Sequence, residues 1–277
     1  MKGVSELKSR MQGIQDTVKI TKAMYLLSAS KMPKLNQRLS DCQEWENTLS
    51  KALDGVCDQP SIARYYEQKE GCTGYLVFAS DKGLCGDYNE KVRSYTLERL
   101  QGVTSRKIYA VGNMARDFLK RGGIKCNNAF VHAMQSPMLP DAEQIAKVLL
   151  DEYASGNLTG VEMIYTHSLS AGNQEVVSKR LLPLSKSENA TPLPLAAGEG
   201  DLEGLVYNDV VGKVYLALLE AATALNFKRM TTMHTATDNA TEILEEMTLQ
   251  MNHLRQDGIT NELSDVNTAK IANEDRQ

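Results

Sequence analysis

A chain of 277 residues is long enough for about two domains that each bury a core. Its net charge of −4 excludes a basic nucleic-acid footprint spread over the whole surface. Five cysteines, odd in number and irregular in spacing, exclude a regular disulfide framework and favour a reducing compartment. Twelve methionines against 6% aromatic residues suit long helices better than a sheet-dominated enzyme core. The opening MKGVSELKSR does not resemble a signal peptide, and no uninterrupted apolar run reaches the roughly 18 residues of a membrane span. The expectation is a soluble or peripheral protein of the cytosol.

The first predicted element is a long helix over residues 3–56 with an apolar repeat of seven. One seam position takes Val4, Met11, Val18, Tyr25, Met32, Leu39, Glu46 and Leu53; the other takes Leu7, Ile14, Thr21, Ser28, Leu35, Cys42, Leu49 and Val56. A strict repeat of seven keeps its seam against a partner helix only if the pair supercoils left-handedly. Thr21 and Ser28 are small polar groups in mid-seam, which allows close approach. Pro33 lacks a backbone donor and costs about 3 kcal/mol inside a helix, so a kink or a break into two helices is expected there. Residues 1–40 carry Lys2, Lys8, Arg10, Lys19, Lys22, Lys31, Lys34 and Arg38 against Glu6 and Asp16, a net +6.

Beyond Gly55 a polar connector leads into residues 75–80, Tyr-Leu-Val-Phe-Ala-Ser, an apolar run of strand length. Residues 107–111 and 161–166 read as further buried strands, and residues 89–100, 115–121 and 141–154 as helices. Such alternation predicts a parallel sheet with crossover helices. Residues 175–184 add an edge strand, and residues 185–204, with Pro192 and Pro194, read as a linker.

After the first strand comes Asp-Lys-Gly-Leu-Cys-Gly at residues 81–86, where α/β domains often hold ligands. Its two glycines match neither a dinucleotide fingerprint nor a phosphate-cradling loop. Cys85 has no histidine near it in sequence, His132 and His167 being distant, so the motif reads as a tight structural turn. No catalytic, cofactor-binding or metal-ligating pattern occurs elsewhere.

From about Asp209 the helical pattern returns. Val214, Leu218, Ala221 and Leu225 form one seam; Met233, Thr237, Ala240, Leu244, Met247, Met251 and Leu254 form another, out of register with the first around residues 226–230. The charge is opposite to that of the first helix. Residues 238–277 hold nine acidic side chains against Arg255, Lys270 and Arg276, a net −6, so the two helices can attract. The predicted architecture is α/β: a long antiparallel two-helix coiled coil from the chain termini with an inserted Rossmann-like α/β domain. The predicted boundaries are 1–57, 58–208 and 209–277.

Three segments carry a resemblance. Ile-Thr-Lys-Ala-Met at 20–24 with Ser-Ala-Ser-Lys-Met at 28–32, the 81–86 motif, and Ala-Thr-Asp-Asn-Ala at 236–240 with Arg255-Gln256, Ile259-Thr260 and Glu262-Leu263 are similar to the signatures of the gamma subunit of rotary F-type ATP synthases. The matches fall in family order over essentially the whole chain. The resemblance implies a non-catalytic central shaft, without cofactor, inside a ring of alpha and beta subunits. It implies contact with an epsilon subunit and seating on a membrane c-ring at the cytoplasmic face of the cell membrane. It further implies that Arg255, Gln256, Thr260 and Glu262 contact the beta subunit, and that Met24 and Arg229, supported by Lys22, form a second beta-facing region. A diverged gamma-like rod that binds another partner is the alternative. The chain departs from the family pattern at Pro33, at Asp87 in place of a small residue, at Gly258, and in a polar end, Ala-Asn-Glu-Asp-Arg-Gln.

Overall fold

The structure, a computed structural model, describes residues 2–130, 134–170, 173–186 and 199–274; some side chains within these segments, Val4 and Glu262 among them, lie outside the described set. The chain runs α1 (Lys2–Asp54), β1 (Thr73–Phe78), α2 (Tyr88–Arg99), β2 (Arg106–Val111), α3 (Asn113–Arg121), β3 (Asn128–Phe130), α4 (Leu139–Ala154), β4 (Gly160–Ser170), β5 (Asn173–Leu182) and α5 (Glu199–Glu274).

The sheet has the order β3-β2-β1-β4-β5. β1, β2, β3 and β4 are parallel, and β5 returns antiparallel along β4. The β4–β5 return is short, so antiparallel pairing is the geometry open to it, whereas every parallel neighbour is reached through a helix. β1 is buried along almost its whole length because it lies in the middle of the sheet under helices, which explains why its residues form a run and not an alternation. The three-residue β3 was not expected from the sequence; it is too short to show a period.

The chain divides into two compact units, one formed by Met1–Leu27 with Met230–Gln277 and one by Ser28–Arg229. Both long helices contribute to both. Partner positions fall on α5 as they climb on α1. In the first unit Thr21 meets Thr237 and Tyr25 meets His234; in the second Cys42 meets Gly212 and Ser50 meets Asp209. The helices therefore run antiparallel. The buried residues described on α1, Leu7, Thr21, Ser28, Leu35, Cys42 and Leu53, all fall on the expected seam, Met11, Ile14, Val18 and Leu39 of that seam are half-buried, and Val56 is buried just past the helix end.

Two expectations change. α1 is a single helix through Pro33, not two placed end to end. Pro33 lies on the exposed side, where a carbonyl that loses its helical partner can be solvated. α5 begins at Glu199, so the last six residues of the expected linker are helical; residues 187–198 lie outside the described residues. Leu202, Val206 and Val210 are buried at spacings of four, a period that Gly200 and Gly204 obscure in the sequence. The helix also continues past Gly258. The opposite charges of α1 and α5 do not meet as ion pairs among the described residues of the first unit, where Lys19–Asp16 and His234–Asp238 are each within one helix.

The shift of register at residues 226–230 has a structural counterpart, because the boundary between the units falls between Arg229 and Met230. Residues 221–226 are buried on every side, as expected of a helix enclosed by a sheet and its helices and not paired along one stripe. The most apolar stretch of α5 is long enough to cross a bilayer by composition, yet 78% of it is buried inside the protein.

Candidate partner-contact surfaces

In the two-helix unit the seam is narrow and partly polar. Thr21 is buried; its hydroxyl donates to the Thr17 carbonyl at 3.0 Å and accepts from the Thr237 hydroxyl at 2.8 Å. The rings of Tyr25 and His234 lie 5.4 Å apart, tilted by 32°. Met24 is half-buried beside this seam and Lys22 is exposed, without an ion pair among the described residues. Arg255, Gln256 and Thr260 are all exposed on α5, and Thr260 donates to the Gln256 carbonyl at 3.0 Å within the helix. The Glu262 side chain lies outside the described residues.

The structure adds apolar residues that the sequence reading did not assign to a contact, though Ile20, Ile259 and Leu263 lie within its family signatures. Ile20, Leu26 and Leu27 on α1 are more than half exposed. On α5, Ile259, Leu263 and Val266 recur at spacings of four and three with exposures of 51%, 66% and 67%. Side chains at this spacing form a stripe on one helix face. Apolar side chains aligned on an exposed helix face make this face a candidate contact surface. The signal was present in the sequence as apolar residues outside the heptad seam.

In the sheet-bearing unit the 81–86 motif folds as a self-bonded loop. Leu84 takes a positive φ of 62° and is 58% exposed, and Gly86 has a φ of 56°. Cys85 is buried; Asn89 Nδ2 donates to its sulfur at 3.2 Å while Asn89 Oδ1 accepts from the Ser80 backbone at 3.0 Å. Burial pushes the Cys85 thiol up, against the hydrogen bonds from Ser80 and Asn89 and the positive charge of Arg229. A buried thiol held neutral is no nucleophile.

The N-terminus of α3 is filled by the chain itself. Asp81 Oδ1 accepts from the Asn113 backbone at 3.2 Å, and the Ser80 carbonyl accepts from the Met114 backbone at 2.9 Å, so the first turn of α3 is already satisfied. Gly112, with a φ of 88°, lets the two segments touch, since a Cβ there would come within 2.1 Å of the Ala79 carbonyl oxygen. Among the described residues no three His, Cys, Asp or Glu side chains converge so as to hold a metal ion.

Arg229, singled out by the family resemblance as a beta-facing residue, lies far from this loop in sequence, and the structure places the two together. Its guanidinium is close enough for its charge to act on Cys85 and Tyr88, and its Nε is enclosed without a hydrogen-bond partner. Its neighbour Lys228 pairs with Asp87 at 2.7 Å, and Lys91 pairs with the other Asp87 oxygen at 3.0 Å. These two partners hold the Asp87 carboxyl at about 2. The departure from the family pattern at Asp87 is thus a charge with two partners.

The family described as ATP synthase matches residues 3–272 of the chain. A gamma chain from Desulfitobacterium hafniense is 32% identical over 273 residues, covering 96% of this chain and 97% of the relative. The chain belongs to the ATP synthase gamma family. A second gamma chain, from Parabacteroides distasonis, is 32% identical over 281 residues, 96% of this chain and 97% of its own. Among solved structures, a chain of the Euglena gracilis mitochondrial ATP synthase, captured as OSCP, F1 and c-ring in one rotational state, superimposes with a TM-score of 0.70 at 15% identity, over 98% of this chain and 94% of that one. A chain of the Tetrahymena thermophila central stalk and c-ring gives 0.61 at 22% identity, over 78% and 99%. At these identities the likeness is one of fold. The gamma fold is therefore present over nearly the full length of this chain, with both long helices and the five-stranded sheet.

Proposed function

We propose that this gamma chain is the central rotor shaft of an F-type ATP synthase and performs no chemistry itself. It couples ion flow through a membrane c-ring to the conformational cycle of catalytic beta subunits. The observation that carries this reading is the apolar stripe Ile259, Leu263 and Val266 beside the exposed Arg255, Gln256 and Thr260 on α5. Such a helix face calls for an enclosing partner, and family membership supplies one in the ring of alpha and beta subunits. The seat of the complex is then the cytoplasmic face of the cell membrane, with the epsilon subunit and the c-ring as further partners.

A single shaft cannot present the same face to three beta subunits at once. Each beta subunit meets different side chains, and a contact shifts a conformational equilibrium only by its differential affinity for the two states. Moving a subunit from mostly open to mostly closed requires about 5.5 kcal/mol of such differential contact. We assign Arg255, Gln256, Thr260 and Glu262 to one beta-facing patch. Lys22 and Met24 are assigned to a second beta-facing patch and Arg229, by itself, to a further contact; the exposed Lys22 and the incompletely satisfied Arg229 each suit an acidic loop on the partner.

The test is co-purification and coupling. Complexes purified from native membranes are expected to contain this chain with alpha and beta subunits. The pair Arg255→Ala, Gln256→Ala is expected to lower ion pumping per ATP hydrolysed, or to lower the yield of assembled complex. Fully coupled complexes lacking the chain would overturn the reading and favour a gamma-like rod with another partner.

A further inference from the structure

One nine-residue stretch of α5 is held by directional contacts from three separate parts of the sheet-bearing unit. Glu220, almost wholly buried, accepts His167 Nδ1 from β4 at 2.9 Å and lies 3.9 Å from Lys179 Nζ on β5. The buried Tyr88 at the start of α2 donates its hydroxyl to the Ala221 carbonyl at 3.1 Å. Gln174 on β5 donates to the Ala224 carbonyl at 3.0 Å. Asp87, just before α2, pairs with Lys228 at 2.7 Å.

Positions 220, 221, 224 and 228 fall on one side of a helix and span roughly 12 Å at 1.5 Å per residue. Around them the helix is clad in small and apolar side chains, Ala217, Leu218, Ala222 and Leu225 among them. Apolar packing is non-directional: it resists withdrawal of the helix but opposes its rotation only through shape. Hydrogen bonds and ion pairs on backbone carbonyls and on fixed side chains do oppose rotation, because their strength falls steeply with angle.

We propose that these four contacts are a torsional lock, fixing the azimuth of α5 within the sheet-bearing unit so that torque entering through that unit is delivered to the helix instead of being lost as slip. Asp87 and Lys228 are its positioning pair at the last turn before Arg229. The proposal rests on the rotor reading above. It assigns the charge at Asp87 a purpose, since a small residue there would leave Lys228 without this partner.

The experiment uses the assembled complex, with Lys228→Glu, Lys228→Arg, and the exchange Asp87→Lys, Lys228→Glu. Lys228→Glu places two carboxylates together. It is expected to lose ion pumping per ATP hydrolysed while the hydrolysis rate is kept, and to broaden the angular spread of a probe fixed to the shaft. Amide exchange over residues 221–229 is expected to quicken about 2- to 5-fold, the range of an exposed ion pair. Lys228→Arg is expected to recover parental coupling and the exchanged pair, which sets a lysine beside Lys91, to recover part of it, which a general loss of fold would not allow. If Lys228→Glu pumps as tightly as its parent in a complex that contains this chain, the lock is overturned and the rotor reading stands. If coupled complexes form without the chain, both are overturned.

Discussion

The two compact units contain stretches of the same two helices and bury them by different means. In Ser28–Arg229, α5 is closed in on all sides over residues 221–226, and Val206, Val210, Val214, Leu218 and Leu219 on it reach full burial. Among the described residues of Met1–Leu27 with Met230–Gln277, burial is confined to a thin seam, Leu7, Thr21, Met233, Ala240 and Met247, and large apolar side chains remain in water. A helix wrapped by other elements is stabilised by its own fold. A helix pair with a thin seam and an apolar outer face is completed by something else. On the rotor reading proposed above, the contrast separates a part that holds itself together from a part whose exposed apolar face is left for partners.

The comparison can be broken most forcefully in the sheet-bearing unit. Gly112→Ala drives a Cβ to within 2.1 Å of the Ala79 carbonyl at a φ of 88°. The expected loss is on the order of 3–4 kcal/mol, read as a large fall in the thermal midpoint of the purified chain. A paired truncation compares the units directly. Leu218→Ala empties a fully enclosed site and is expected to cost about 3 kcal/mol, whereas Met247→Ala, in the thin seam where neighbours and water can refill the space, is expected to cost about 1 kcal/mol. Equal costs in denaturant unfolding would remove the distinction.

The smallest effect is electrostatic. The folded Asp87 carboxyl stands at about 2, below the ordinary unfolded value near 3.9. A depressed acid contributes stability that is present above the unfolded value and is lost as pH falls toward the folded one. The side chain is 46% exposed, so solvent screening keeps the contribution below about 1 kcal/mol. Asp87→Asn is therefore expected to be slightly less stable than its parent at pH 7, with the difference closing between pH 4 and pH 2. A difference that persists unchanged to pH 2 would contradict the pairing.

Much of the fold was legible because its signals are local. The heptad of α1 marks the buried seam from Leu7 to Val56, and the apolar run at residues 75–80 locates the central strand within two residues. The break of register near Asn226 anticipated the place where the helix passes from one burial regime to the other. Boundaries that depend on weak or interrupted periods were not legible: the start of α5 behind Gly200 and Gly204, and the short β3. Among the candidate contacts, Lys22, Arg255, Gln256 and Thr260 stand exposed on their helices. The residues around Arg229 were legible singly but not as a group. Glu220 offered one hint, since a lone carboxylate in the apolar run Leu-Ala-Leu-Leu-Glu-Ala-Ala requires a partner if that run is buried.

What the sequence determined by itself was the alternation of elements, the pairing of the two terminal helices and the family, because each rests on periods and motifs read along one strand of chain. Tertiary structure alone decided which side chains meet across long separations: Asp87 with Lys228, Tyr88 with Ala221, Gln174 with Ala224, His167 with Glu220. Their spacing in sequence carries no period, and their attraction acts over a few ångströms. It exists only after the sheet has brought β4, β5 and the start of α2 against one face of α5.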